Sequence, residues 1–71
     1  MPMCSFFTED DRYSAPTLMF ANVRDRAGAR ALAERTLRAS PHHIQVEARK
    51  ADVLMFTVRR ADIERTLVNA G

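Results

Sequence analysis

Residues 43–59 read HIQVEARKADVLMFTVR, and this stretch decides the fold. In its first half, apolar and polar residues alternate, with Ile44, Val46 and Ala48 on one side. Such alternation is typical of a strand that buries one face. The second half, residues 53–59, is a nearly continuous run of aliphatic and aromatic side chains, which also favours a strand. The stretch therefore predicts a β-hairpin.

The length of the hairpin's turn follows from which side chains must meet. A three-residue loop of Lys50, Ala51 and Asp52 sets the apolar row of the first strand against the apolar row of the second. A two-residue loop would set the same row against polar side chains, because a slip of one residue moves every side chain to the other face. We therefore expect Ile44 opposite Val58, Val46 opposite Phe56, and Ala48 opposite Leu54.

Parts of the chain recur in the same order. LMF occurs at residues 18–20 and 54–56, VR at 23–24 and 58–59, and ERTL at 34–37 and 64–67. Each copy reads as an apolar strand followed by a helix, which is typical of one supersecondary unit used twice. Coincidence in a chain rich in Ala, Arg and Leu is the alternative. Because the first copy has one more residue between its Phe and its Val, we expect a bulge near Asn22 that turns Val23 inward.

A helix is predicted after each copy of the strand. Asp25 stands at the N-cap of the first helix, where its side chain can accept a hydrogen bond from the first turn. Pro41 disfavours a helical residue before it, so this helix should end near Ala39. Asp62 caps a short second helix in the same way. The inward face of the first helix consists of residues at helical spacing, namely Ala29, Leu32, Ala33, Thr36 and Leu37.

With residues 4–8 as a further strand, the predicted order is ββαββα. This is a single α+β domain over residues 1–71, with a four-stranded antiparallel sheet and two helices on one face. If the strand order follows the split βαβ motif, the sheet is a permuted ferredoxin-like sheet in which strands 18–23 and 53–59 are central. The alternative is βαββ with a disordered N-terminus, since residues 1–17 are a candidate flexible segment. The expected core comprises Leu18, Phe20, Leu32, Leu37, Ile44, Val46, Leu54, Phe56, Val58 and Leu67.

The composition is that of a small globular protein. The chain has 71 residues, 46% of them hydrophobic and 28% charged, with a formal net charge of +2. A core this small contributes little stability, so a homo-oligomer is favoured. Cys4 is the single cysteine, which excludes an intrachain disulfide and favours the reducing cytoplasm. No apolar run approaches the ~20 residues of a membrane span, so no membrane partner is expected.

No pattern in the sequence predicts an enzyme, a metal or a cofactor. His42 and His43 are adjacent, so on an extended chain they point to opposite sides and cannot both reach one ion. Cys4 lies in an apolar strand, where a free cysteine usually acts as a small hydrophobe and not as a nucleophile. The acidic run from Glu9 to Asp11 fits a solvated hairpin tip. The chain has two glycines and no glycine-rich phosphate loop. We therefore expect no catalytic residue, no metal site and no cofactor.

Arginine dominates the cations. Ten of the eleven basic residues are Arg, which suits bidentate contacts with carboxylates or phosphates. Arg35 and Arg38 fall on the helix face opposite its apolar row. A solvated, partly self-neutralised face is the simpler interpretation, because Glu34 lies four residues from both Arg30 and Arg38. The candidate contacts to phosphate or to an acidic partner are Arg24, Arg35, Arg38, Arg49, Lys50, Arg59 and Arg60.

An uncovered sheet face is the second signal. If Leu54, Phe56 and Val58 point inward, Val53 and Met55 point outward, and no third layer remains to cover them. The repeat places Met19 and Ala21 beside them. Exposed apolar area around methionine suits an adaptable contact surface. The predicted protein interface comprises Met19, Ala21, Val53, Met55 and Arg49.

These observations predict a small non-enzymatic interaction module that acts by protein–protein contact through an apolar sheet face. Its partner is a second copy of the chain, which makes a homodimer, or another protein, as for a bacterial or phage accessory protein. The alternative is a nucleic-acid-binding protein that uses the arginine-rich helix face and the basic loops.

Overall fold

The computed structural model describes residues 3–63 of the chain and has the predicted element order. The elements are β1 (Met3–Asp10), β2 (Thr17–Asn22), α1 (Arg26–Arg38), β3 (His43–Lys50) and β4 (Val53–Arg59). A second helix begins with residues 60–63. The α+β class and the four-stranded antiparallel sheet are confirmed. The alternative βαββ order with a disordered N-terminus is wrong, because β1 is a strand of the sheet.

The order of strands across the sheet is β2-β1-β3-β4. The prediction that strands 18–23 and 53–59 are central is therefore wrong, since both lie at edges. The two hairpins join through β1 and β3, whose inward rows carry fully buried side chains such as Phe6 and Val46. Helix α1 packs on this inward face, mainly against β3. Central strands are thus the ones that lie beneath the helix.

The inward row of β1 fixes which side chains of β2 face the helix. Cys4 and Phe6 are fully buried, and the register places them opposite Ala21 and Met19. Directly paired residues of an antiparallel ladder point to the same face, so Met19 and Ala21 point inward and pack against the core. Val23 continues this alternation and is buried without a bulge near Asn22.

The β3–β4 hairpin has a two-residue turn, not the predicted three-residue loop. Lys50 pairs with Val53, so only Ala51 and Asp52 turn the chain, with φ angles of 51° and 64°. Positive φ at both central residues is the requirement of a type I′ turn. The predicted pairs are consequently wrong. Val46 lies opposite Val58, Ala48 opposite Phe56, and Arg49 opposite Leu54.

A bulge in β4 reconciles this short turn with an apolar interior. The register shifts between Ala48 and Arg49, which leaves Met55 as the extra residue. Met55 and the next residue, Phe56, both pack against the core. A bulge places two residues opposite one, so the inward row resumes in phase and Val58 is fully buried. The bulge expected near Asn22 in the first copy lies in the second copy instead.

The core differs from the expected set mainly at the strands. Of the expected residues, Leu37, Val46 and Val58 are buried, while Leu32 and Phe56 are partly buried against the core. Four expected core residues are exposed, namely Leu18, Phe20, Ile44 and Leu54, and Leu67 lies outside the described residues. The buried hydrophobic residues are Cys4, Phe6, Val23, Ala29, Ala33, Leu37, Val46, Ala48, Val58 and Ile63.

Helix α1 begins and ends as predicted. The Asp25 side chain accepts a hydrogen bond of 2.7 Å from the Gly28 amide, and the backbone amide of Ala39 donates to the Thr36 carbonyl at the other end. The second helix starts at residue 60, so Asp62 lies inside it and its predicted N-cap role is wrong. The second ERTL segment lies outside the described residues.

Arg60 joins the end of α1 to the start of β3. Its guanidinium donates to the carbonyl oxygens of Leu37, Ser40 (2.5 Å) and His43 (2.7 Å). The last carbonyls of a helix have no intrahelical donor. Arg60 supplies donors to this helix end and to the loop behind it, so its role is structural.

We expect Arg60→Ala to lower the free energy of unfolding by about 1.5–3 kcal/mol, the range for hydrogen bonds to a charged group. Arg59→Ala is the matched control, because Arg59 is the exposed neighbour and an exposed substitution usually changes stability by less than about 0.5 kcal/mol. Urea denaturation of both variants measures the difference. Equal losses would contradict the structural role of Arg60.

Candidate functional site

The four strands present one face that no element among residues 3–63 covers, and we call it the open face. The register and the alternation of side chains define its members. One cross-strand row runs Phe20, Ser5, Arg49, Leu54, and the next runs Leu18, Phe7, Glu47, Thr57. A third row on the same face contains Glu9, Gln45 and Arg59. The open face therefore spans all four strands.

Large apolar side chains are exposed on the open face. Leu18 is 46% exposed, Phe20 61% and Leu54 53%, and Met3 at the start of β1 is also exposed. Phe7 is half-buried and lies directly opposite Leu18. Directly paired and diagonal neighbours on a sheet are in contact range, so Phe7, Leu18 and Phe20 form a continuous apolar patch.

An ion pair lies at the centre of this face. Arg49 Nε donates to Glu47 Oε1 at 2.5 Å, and its guanidinium carbon lies 5.4 Å from the centre of the Phe7 ring. A guanidinium at this distance from a ring makes a cation–π contact. Because Glu47 balances Arg49, the middle of the open face combines apolar area with no net charge.

A small cavity lies at one end of the open face, where the β1–β2 loop meets the sheet. Its volume is about 160 Å³, and it is lined by Phe7, Tyr13, Pro16 and Gln45, with the carboxylates of Glu9 and Glu47. Small-molecule sites usually exceed about 300 Å³. The cavity suits a single side chain, and its aromatic walls and carboxylates favour a basic one.

Asp10 anchors the loop that forms this cavity. It is buried and accepts hydrogen bonds from Arg12 at the backbone N (2.9 Å), Nε (3.0 Å) and Nη2 (2.7 Å). These hydrogen bonds, with the nearby charges of Arg12 and His43, hold the pKa of the Asp10 carboxyl far below its usual 3.8, although burial acts in the opposite direction. The prediction that the acidic run forms a solvated hairpin tip is therefore wrong for Asp10.

The neighbouring residues tie the same loop to β3. The Asp11 amide donates to the His42 carbonyl at 3.0 Å, and the Asp11 carboxylate lies 2.9 Å from His42 Nδ1. His43 is engaged differently, since its Nδ1 lies 2.6 Å from the Thr36 carbonyl at the end of α1. Both histidines thus hold elements in place.

The predicted interface residues do not lie together. Met19, Ala21 and Met55 pack against the core, so the prediction that they point outward is wrong. Val53 is 67% exposed but pairs with Lys50, whose register places it on the helix side. Arg49 alone lies on the open face.

Spacing alone indicates two of the apolar side chains that lie on the open face. Met19 and Val23 are an even number of residues apart, so regular alternation puts both on one face and leaves Leu18 and Phe20 on the other. Met55 and Val58 are an odd number apart, so a bulge must lie between them if both point inward.

The candidate phosphate contacts are divided between two sides of the molecule. Arg49 and Arg59 lie on the open face, whereas Arg35 and Arg38 are exposed on α1, which covers the opposite face. Arg38 also lies 3.6 Å from Glu34, which accepts a hydrogen bond of 3.2 Å from Arg30. Of the remaining candidates, Arg60 binds backbone carbonyls, while Arg24 and Lys50 are exposed.

The thiol of Cys4 and the imidazole of His43 do not lie together. Cys4 is fully buried and lies six residues before Asp10, the residue that pairs with His43, so the backbones of Cys4 and His43 are about 20 Å apart at ~3.4 Å per residue. Among the described residues, no three His, Cys, Asp or Glu side chains form a group that could hold a metal ion.

No protein-family model, curated protein or solved structure shows a significant match to this chain. Within residues 3–63, no helix is long and apolar enough to cross a membrane.

Asp10→Asn tests the anchor of the β1–β2 loop through pH. Because the pKa of Asp10 is depressed in the folded state, its stabilisation is present above the usual pKa of 3.8 and is lost as pH falls below that value. We expect the variant to be less stable than the parent at pH 7 and the gap to narrow at pH ~3.

Urea denaturation at both pH values measures this gap. Glu9→Gln is the control, because it removes a carboxylate from the same segment but breaks no ion pair among the described residues. A gap for Asp10→Asn that stays constant between the two pH values would contradict the assigned role of the Asp10 carboxylate.

Proposed function

We propose that this protein is a non-enzymatic interaction module that binds another protein through the open face. The observation that carries the proposal is the uncovered apolar patch of Phe7, Leu18 and Phe20, together with Leu54. Contiguous exposed apolar area on a small domain is typical of a contact surface. Phe and Arg, which this face presents side by side, are enriched at protein interfaces.

The dimensions of the open face suit such a contact. The molecule measures 35 × 29 × 18 Å, and four strands of six to eight residues form the open face. A standard interface buries about 800 Å² on each partner, so a partner would contact most of this face. The ion pair between Arg49 and Glu47 provides polar groups among the apolar ones, as interfaces commonly require.

The open face also specifies the chemistry of its partner. A matching surface presents apolar side chains to Phe7, Leu18 and Phe20. It also presents one Lys or Arg to the cavity, where the Glu9 carboxylate has no hydrogen bond or ion pair among the described residues. A cation that pairs with Glu9 fixes the orientation of the partner and contributes to specificity.

Nucleic-acid binding has weaker support. Phosphate-driven binding needs several cations on one surface. Among residues 3–63 the candidate arginines are divided between the open face and α1, and on α1 Glu34 pairs with Arg30 and Arg38. The open face offers aromatic rings for stacking, but Glu9 and Glu47 lie beside them. These two carboxylates balance Arg49 and Arg59 on the same face, so the open face has no excess of positive charge to attract phosphate.

The cellular setting that we propose is the reducing cytoplasm. Cys4 is a buried free thiol, and a chain of this size outside a reducing compartment usually depends on disulfides. The protein would then act as an accessory protein that occupies a surface of its partner.

Two adjacent residues provide a matched test of the proposal. Leu54 lies on the open face and Val53 on the helix side, and both are largely exposed. Immobilised parent protein, Leu54→Glu and Val53→Glu would be used to capture proteins from the native host. Proteins retained by the parent and by Val53→Glu are purified and titrated calorimetrically against each form.

We expect Leu54→Glu to weaken binding at least ~10-fold, about 1.4 kcal/mol, because it places an unpaired charge in the contact. Glu9→Gln should weaken it as well by removing the partner of the basic side chain, whereas Val53→Glu should match the parent. Equal affinity for Leu54→Glu and Val53→Glu would contradict the proposal. Capture of nucleic acid alone, with affinity that falls steeply as salt rises, would favour the alternative.

A further inference from the structure

The two edges of the sheet are protected to different degrees. β2 and β4 each have one side without a neighbouring strand. The backbone N–H and C=O groups along such an edge are a template for another strand, and native proteins usually blunt an edge with a bulge, a charge, a proline or a covering side chain. An edge that lacks these protecting features is the one at which a further strand could pair.

The β4 edge is blunted in two ways. The bulge at Met55 interrupts its ladder. Arg26 then crosses from the start of α1 and donates from Nη2 to the Met55 carbonyl at 3.0 Å, while its guanidinium lies 5.3 Å from the centre of the Phe56 ring. An incoming strand would have to displace these contacts.

Within residues 3–63, the β2 edge has none of these protecting features. β2 reads TLMFAN, with no charge and no proline, and its ladder with β1 runs from Asn22 to Thr17 without a bulge. No described residue outside β1 pairs with β2. Two of the exposed large apolar side chains of the open face, Leu18 and Phe20, also belong to β2.

We propose that β2 pairs with β2 of a second copy of this chain, antiparallel and about a twofold axis perpendicular to the sheet. A register centred on Met19 sets Leu18 of each copy opposite Phe20 of the other. The two sheets then form one sheet of eight strands. This self-association is independent of whether the open face binds a heterologous protein.

The sequence of β2 favours a second copy as the occupant. A strand that pairs with itself meets its own charges, and β2 carries none, so no like charges oppose each other. Antiparallel pairing about a twofold axis is isologous and closed, so association stops at a dimer. The pairing also covers Leu18 and Phe20 with apolar neighbours and supplies partners for the free backbone groups.

The dimer would enlarge the open face without covering it. A twofold axis perpendicular to the sheet keeps both open faces on the same side. The patches of Phe7, Leu18 and Phe20 from the two copies then meet at the centre of one continuous surface. A partner that contacts both halves would bind by avidity.

The repeat supplies a matched pair of variants for sedimentation equilibrium at several concentrations. Leu18 and Leu54 occupy equivalent positions of the two LMF copies, lie on the same face and are similarly exposed, but belong to opposite edges. We expect the parent and Leu54→Glu to dimerise equally. Leu18→Glu should raise the dissociation constant at least ~10-fold, because it buries a charge against Phe20 of the second copy.

Amide hydrogen exchange of the parent shows whether the backbone itself pairs. In a β2–β2 ladder, alternate amides within residues 17–22 become more protected as concentration rises, while those of β4 do not change. A parent that stays monomeric, or a dimer without this alternating protection, would overturn the inference. Equal weakening by Leu18→Glu and Leu54→Glu would point to face-to-face association and overturn it too.

Discussion

Burial of the inward row of β1 beneath α1 is the constraint on which the other features depend. Phe6 is the largest fully buried side chain, and it lies in one cluster with Leu37 of α1 and Val46 of β3. Burial of a side chain of this size is worth roughly 1.5–3 kcal/mol, a large share of the stability of so small a domain. Once Phe6 points inward, the pleat turns Phe7 to the other side.

The open face and its chemistry follow from this one orientation. β1 pairs with β2 on one side and with β3 on the other, and β4 pairs with β3. β2 and β4 are therefore the edge strands, and each has an inward and an outward row of side chains. Even spacing from Met19 to Val23 keeps β2 regular, while odd spacing from Met55 to Val58 produces a bulge. This difference in spacing leaves the β2 edge regular and the β4 edge interrupted. It therefore accounts both for the edge that we propose forms the dimer and for the edge that is protected.

Local signals in the sequence predicted the elements well. Asp25 and Pro41 mark the limits of α1, and the apolar run at residues 53–59 matches β4. These features depend on capping, on proline sterics and on side-chain periodicity, which act within a few residues. The uncovered apolar face was also predicted, but with the wrong β2 and β4 residues.

The wrong predictions have a common physical cause, which is that the features concerned depend on tertiary contacts. A parity error of one residue exchanges every side chain of a strand between faces. In β4, where a bulge interrupts the alternation, only the partner strand decides the parity. The bonds made by Arg60 to the end of α1 depend on tertiary folding that no local pattern encodes. The ion pair of Asp10 with Arg12 is local in sequence, but it depends on burial, which the acidic run alone did not indicate.

Equilibrium unfolding of Phe6→Ala and Phe20→Ala tests the orientation of the sheet most directly. Both variants remove the same ring, one fully buried and the other 61% exposed. If β1 lies as described, Phe6→Ala loses about 3–5 kcal/mol of unfolding free energy. Phe20→Ala, measured where the protein is monomeric, then loses less than about 1 kcal/mol. A loss for Phe20→Ala as large as that for Phe6→Ala would show that the open face is the buried one.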